Sequence, residues 1–311
     1  KKDRYTDNCN FDHLMLLKNI HLHRIYWAIT SPSLMAFPVS VDYIRSPEHL
    51  NSVIRILTDL DSNPVQMNQY FDALGNLPMG KYFEQLIFFM IEQDERFELI
   101  LSNQQIKEGN ITIGEIDLIV KDCVTNKIEH WEICLKYYLQ SVPSPEPSLM
   151  IGPGAKDNLA RKTDKLLNHQ LPLAKHSSLT NVNKRHTIDS KLFMKGQFFY
   201  HLNNNKVLPE HSNPTHESGW WCFLSEIDDV IRGSIKWTTL SKPEWIGQHQ
   251  HFNDADLLSD EQLKGSLNAH FEADNQSVLA VGLKPTKEGW IEQTRGFIVN
   301  DNWPLLIPQW G

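Results

Sequence analysis

Three acids and a lysine in the middle of the sequence have the types and spacing suited to phosphodiester chemistry. Glu84 ends the run G-K-Y-F-E, Asp117 ends G-E-I-D, and Glu132 and Lys136 share W-E-I-C-L-K. Strand residues alternate between faces. Glu115 and Asp117 therefore share one face of GEIDLIV, with Ile116 and Leu118 on the other. Glu132, Cys134 and Lys136 share one face of WEICLKYY, opposite Trp131, Ile133 and Leu135. Two adjacent antiparallel strands bring Asp117 beside Glu132. Carboxylates inside apolar strands are costly unless something pairs them, and a divalent cation does so. Mg²⁺ takes a few carboxylate oxygens together with waters and phosphate. It supplies the charge neutralisation and activated water that phosphodiester cleavage needs. A neighbouring lysine can polarise the water or stabilise developing charge on phosphorus. Each residue alone also has a plain reading: a helical carboxylate, a strand end, a same-face charge pair.

The elements that must position these groups are legible around them. KYFEQLIFFMIEQ after Gly80 reads as a helix with a wide apolar face. Phe97–Ser102, Ile111–Lys121 and Ile128–Leu139 read as strands, and the short polar link Asp122–Lys127 suits a hairpin. Before them, His13–Ile29 reads as a helix ended by Ser31-Pro32, and Glu48–Asp61 has apolar residues at helical period. After them comes a Pro-rich loop, Val142 to Gly154. A helix to about Leu171 follows, with Asp157 as its expected cap. Leu159, Leu166 and Leu167 point inward, and Lys162, Lys165 and His169 share another face. The last part reads as mostly strand and loop, at Trp220–Leu224, Ser234–Thr239, Val278–Leu283 and Trp290–Val299. It carries seven of the nine Trp, which favours core packing over base stacking. Three parts result: a helical region (1–75), an α/β core (76–205) and a Trp-rich β/loop region (206–311).

Composition bounds the rest. A 311-residue chain with 41% hydrophobic residues can bury a large core. Its longest apolar run, LIFFMI at 86–91, is far below the ~18 residues of a membrane span. No charged-then-apolar leader pattern opens the sequence as given, which begins at Lys1. Four cysteines without a CxxC pair argue against a zinc ribbon or disulfide framework and suit a reducing cytoplasm. The pairs His21/His23 and His249/His251 have no further ligand at zinc spacing. Net charge is −8, yet Lys156–Lys195 holds nine Lys/Arg against three Asp. Such asymmetry fits either a phosphate-tracking face or a solvated helix. Gly152-Pro153-Gly154 before a helix has the form of a loop that offers amides to a phosphate, though glycines at helix starts are common.

Taken together, the order helix-Glu, strand-Asp, hairpin, strand-Glu-Lys resembles the PD-(D/E)XK nuclease superfamily. More narrowly, the chain resembles the bacterial domain-of-unknown-function family 1853. The resemblance rests on HRIYWAITSPSLM, GKYFEQLIFF, GEIDLIV, HWEICLKYYL, GPGAKDNLARK with NHQL, and MKGQFFY, spread over most of the chain. It implies a nuclease-like α/β core with a mixed central sheet flanked by helices, plus N-terminal helical and C-terminal β-rich additions. It implies one Mg²⁺ or Mn²⁺ held by Glu84, Asp117 and Glu132, with Lys136 assisting water. Lys156, Arg161, Lys162, Lys165 and Gln170 would contact nucleic acid, DNA in preference to RNA. One departure stands out. The usual lysine slot, two residues after the acid, holds Cys134, and Lys136 lies roughly 6–7 Å further along the strand. A catalytically inactive nucleic-acid-binding or scaffold protein on the same fold is therefore the alternative. A structural protein unrelated to nucleic acid is a third reading. A glycosidase-type carboxylate pair fits less well beside a lysine.

Overall fold

The computed structural model describes residues 17–176, 179, 187–231, 235–251, 253–287 and 289–305, apart from the His251 side chain. The chain forms two compact units with interleaved segments. The first takes residues up to Ser33, Pro38–Leu135 and Leu166–Met194. The second takes Leu34–Phe37, Lys136–Lys165 and Lys195 onward. Strands pair in both senses and helices pack on strands in both units, so the class is mixed α/β. No helix of the described residues is long and apolar enough to cross a membrane.

The first unit opens with four helices: α1 (Ile20–Thr30), α2 (Pro47–Ser62), α3 (Val65–Leu74) and α4 (Met79–Gln93). The Asn19 side chain caps α1. Ser46 caps α2 by accepting from the His49 amide, with Pro47 at the first helical position. The expected helix from His13 begins only at Ile20, and residues 13–16 lie outside the described set. Helix α3 lies within the region read as helical but was not singled out as an element. Its only buried residues are Met67 and Phe71, too few for a clear periodic stripe.

Strands β1 (Phe97–Glu108), β2 (Ile111–Asp122) and β3 (Lys127–Gln140) form an antiparallel meander. Strand β1 runs six residues beyond its expected end at Ser102. The polar stretch Asn103-Gln104-Gln105 is exposed, so it carries no alternating apolar signal. A two-residue turn at Gly109-Asn110 joins β1 to β2, with Gly109 at φ 58°. The second hairpin falls at the expected link. There Asp122 Oδ1 accepts the amides of Val124 and Thr125 at 2.9 and 3.1 Å. The unit ends with a π turn (Leu166–Gln170), a 3₁₀ turn (Leu171–Lys175) and the first part of β5 (Ile188–His201). An aromatic column ties α4 to the strands. Phe83 stacks on Phe193, which stacks on Trp131 at 5.6 Å and 10°.

The second unit takes over β3 and β5 partway along their lengths. Its strands follow the order β5, β6 (Ser218–Phe223), β10 (Gly289–Val299), β9 (Val278–Thr286), β7 (Lys236–Leu240). The first two pairings are parallel and the last two antiparallel. Two short strands attach at the sides, β4 (Met150–Ile151) on β3 and β8 (Gln250–His251) on β10. The helices are α5 (Leu159–Lys165), α6 (Ile227–Val230) and α7 (Asp260–Ala273).

The described part of 206–311 is mostly strand and loop, as read, but it also holds helix α7, which the reading did not include. Ser259 and Gln262 form a capping box at its start, and Leu263, Leu267 and Phe271 pack on Trp237, Cys222 and Ile298. Trp221 and Trp237 are fully buried, and Trp245 and Trp303 nearly so. These four rings are core, leaving no face for base stacking.

Candidate functional site

Helix α4 and strands β2 and β3 of the first unit bring together six polar side chains. Glu84 lies on α4 among buried Tyr82, Phe83 and Leu86. Helix α1 anchors that turn, since His21 Nδ1 lies 2.7 Å and Arg24 Nη1 3.1 Å from the Tyr82 hydroxyl. Asp117 lies on β2, where Oδ2 accepts from the Ile133 amide of β3 at 2.8 Å. Glu132 lies on β3, buried, with Oε1 3.0 Å from His130 Nε2. Strand alternation is visible directly in β3. His130 meets Glu132 on one face, and Trp131 Nε1 donates to Glu129 on the other at 2.7 Å.

Lys81 joins this group. It sits one helical turn before Glu84, and its Nζ donates to Glu84 Oε2 at 2.7 Å and to Glu115 Oε1 at 3.2 Å. Sequence reasoning passed over it although it is the second residue of G-K-Y-F-E. The signal was the i, i+3 spacing, which places two helical side chains as neighbours. His130 and Glu115 were also missed as partners.

The electrostatics follow from crowding. Burial raises the Glu84 carboxyl to about 7; the Lys81 hydrogen bond opposes this and the nearby Asp117 charge adds to it. Burial also raises Asp117 to about 7, the Glu132 charge adds to it, and the Ile133 amide and Lys81 pull the other way. Burial lowers the His130 imidazole to about 4, so it is neutral near pH 7 and can donate Nε2–H to Glu132. Asp117 thus lies within electrostatic reach of both Glu84 and Glu132, and it is raised by burial first and by the Glu132 charge second.

Oxygen donors of this kind suit a hard divalent cation. Among the described residues, however, no group of three or more His, Cys, Asp or Glu is placed to hold a metal ion. The three carboxylates therefore do not form the single three-acid cage expected from the sequence. Each already has a protein partner: Lys81, the Ile133 amide or His130.

The other expected residues are placed as follows. Lys136 belongs to the second unit, where its Nζ pairs with Asp157 Oδ2 at 2.6 Å. Asp157 is thereby occupied and does not cap α5; Asn158 does, accepting from the Arg161 amide at 2.9 Å. Lys156, Arg161 and Lys165 are exposed and Lys162 is half-buried. Gln170 is half-buried, with Oε1 buried and unpartnered among the described residues. Lys184 and Arg185 lie outside the described residues. Lys195 is completely buried, so the basic segment is not a continuous phosphate-facing surface. In the Gly152–Gly154 loop the Gly152 amide bonds the Asp157 carbonyl, and Pro153 O accepts from Ser277 and Trp303. That loop is a structural clip.

Fold and site together define a mixed α/β protein with a buried carboxylate cluster carried by a helix and two strands. The chain belongs to the family described as Domain of unknown function (DUF1853), whose model matches residues 23–299. Neither a curated protein nor a solved structure matches it.

Proposed function

We propose that the chain is a divalent-cation-dependent hydrolase of the PD-(D/E)XK nuclease type that cleaves phosphodiester bonds in DNA. The observation that carries the reading is Asp117, buried on its strand, raised to about 7, and facing the charges of both Glu132 and Glu84. Asp117 and Glu132 would hold one Mg²⁺ or Mn²⁺, waters and phosphate completing its coordination as is usual for Mg²⁺. When bound, the ion neutralises phosphate charge and acidifies a water. Glu84, titrating near neutral pH, accepts the proton of the attacking water. Lys81, 2.7 Å from Glu84, takes the place expected for Lys136 and donates to the charge developing on phosphorus. The exposed cations Lys156, Arg161 and Lys165 would contact the DNA backbone.

The test is Mn²⁺ binding by electron paramagnetic resonance, alongside cleavage of single-stranded, duplex and branched DNA and of RNA. Asp117→Ala should abolish both. A wild-type chain that binds no divalent cation and cuts none of these substrates overturns the reading. A catalytically inactive nucleic-acid-binding protein is the second reading, favoured by the engagement of Lys136 with Asp157. DNA binding undiminished in EDTA, with no cleavage in Mg²⁺, selects it.

A further inference from the structure

A second polar cleft, of about 490 Å³, opens in the first unit. Its lining brings four cations together: Arg45, Arg96, Lys127 and Lys191. Four carboxylates also line it, so the formal charges balance. The hydrogen-bonding capacity does not.

Asp122 spends Oδ2 on Arg96 and Oδ1 on two loop amides. Glu129 spends Oε2 on Arg45 and Trp131. Asp42 accepts from Ser33. Each arginine, by contrast, retains donors. Arg45 bonds through Nη2 alone, and its Nε is buried without a hydrogen-bond partner among the described residues. Arg96 uses Nε and Nη2 on one oxygen and keeps Nη1. Among the described residues the Lys127 and Lys191 side chains form no hydrogen bond or ion pair, and Asp189 is the remaining acid whose side chain is unengaged.

The two guanidinium groups are also fixed in place. Both lie over Phe97, at 5.8 and 6.0 Å from its centroid, and Arg45 lies 5.4 Å from the Trp131 ring. Buried carboxylates behind them hold the forks. Arginines held in advance lose little entropy when they bind a planar or tetrahedral oxyanion. The volume falls in the range of small-ligand sites.

We propose that this cleft binds a phosphate monoester, with Arg45, Arg96, Lys127 and Lys191 on the phosphate and Asp189 accepting from a hydroxyl of the attached sugar. The phosphate has two possible sources, a free nucleotide or the phosphorylated end of a nucleic-acid strand. The site is separate from the carboxylate cluster and uses none of its residues.

The test is calorimetric titration of the full chain in EDTA. The probes are inorganic phosphate, a nucleoside 5′-monophosphate, the parent nucleoside, and one short oligonucleotide with and without a 5′-phosphate. The monophosphate should bind at least about tenfold more tightly than the nucleoside. Lys127→Met/Lys191→Met, which breaks no ion pair among the described residues, should weaken it about tenfold, as should Arg45→Lys, which keeps the charge beside Glu129. Asp117→Asn should bind as wild type. A phosphorylated oligonucleotide tighter than the monophosphate assigns the site to strand ends; the reverse order assigns it to free nucleotide. Equal affinity for nucleoside and monophosphate, absence of binding, or wild-type affinity in both cleft variants overturns the proposal.

Discussion

The Asp117 carboxylate is fastened to the backbone of the neighbouring strand: its Oδ2 accepts from the Ile133 amide at 2.8 Å. The bond holds the acid beside Glu132, whose charge adds to the effect of burial in raising Asp117 to about 7. A side chain bonded to a strand amide cannot swing to solvent without leaving a buried donor unmatched, which typically costs about 1–3 kcal/mol. The crowding of negative charge is therefore built into the strand pairing.

Glu84 and Asp117 should each contribute stability that is lost as pH rises from about 4 to about 7, against the opposite contribution of His21 and His130, which burial lowers to about 4. In that window folded Glu84 and Asp117 keep protons that the unfolded chain, with carboxylates near 4, has released. At these two carboxyls the folded state binds more protons, so raising the pH removes their contribution. Thermal melts from pH 4.5 to 8 should show Asp117→Asn gaining on the wild type as pH rises, the difference between the two slopes being the Asp117 contribution. An unchanged slope in that variant would refute the assignment to Asp117.

Mn²⁺ should offset the same penalty. Adding it at pH 8 should raise Tm in the wild type by a few degrees and leave Asp117→Asn unmoved, because a ligand of the folded state stabilises by mass action. Differential scanning calorimetry with and without EDTA checks it.

Lys81→Met should leave Glu84 and Glu115 without their shared cation. Lys81 is about half exposed, so the cost is modest, within about 1 kcal/mol. It should appear at pH 8 and shrink at pH 5, where Glu84 is protonated. Side-chain carboxyl NMR should place the Glu84 titration higher in the variant than in the wild type.

Gly196→Ala should destabilise by about 1–3 kcal/mol. Gly196 has φ 137°, and an added methyl would run into the backbone carbonyl of Lys136. Chemical denaturation should show a lower midpoint with little change in slope.

Much of the site's frame was legible in the sequence. The apolar face of α4 and the alternation of β2 and β3 placed Glu84, Asp117 and Glu132, and His130 and Trp131 project to opposite faces of β3 as alternation requires. What escaped was pairing between distant groups. Lys81 and Lys136 look equally available in the sequence, and only the folded chain gives one to Glu84 and the other to Asp157. Charge counting overstated the basic segment because it cannot see that Lys195 is enclosed. Helix α7 was missed because Ser259 and Gln262, its capping box, stand beside a sparse apolar stripe of Leu263, Leu267 and Phe271.

The interleaving of the two units bears on how the chain emerges from a ribosome. Two of their boundaries fall inside strands, at Leu135/Lys136 and Met194/Lys195, with no change of composition to mark them. The first unit is not complete until Leu166–Met194 has been made, and Lys136–Lys165, which precedes it, belongs to the second. Every segment of the first unit has been made by Met194, before the second unit's last segment from Lys195 onward, so the first can be completed ahead of the second only with Lys136–Lys165 carried between its own segments. A nascent chain halted between Leu135 and Leu166 holds the helices and meander of the first unit without its last strand, and already carries the opening segments of the second. The long segment that finishes the second unit begins only where the first unit ends, inside strand β5.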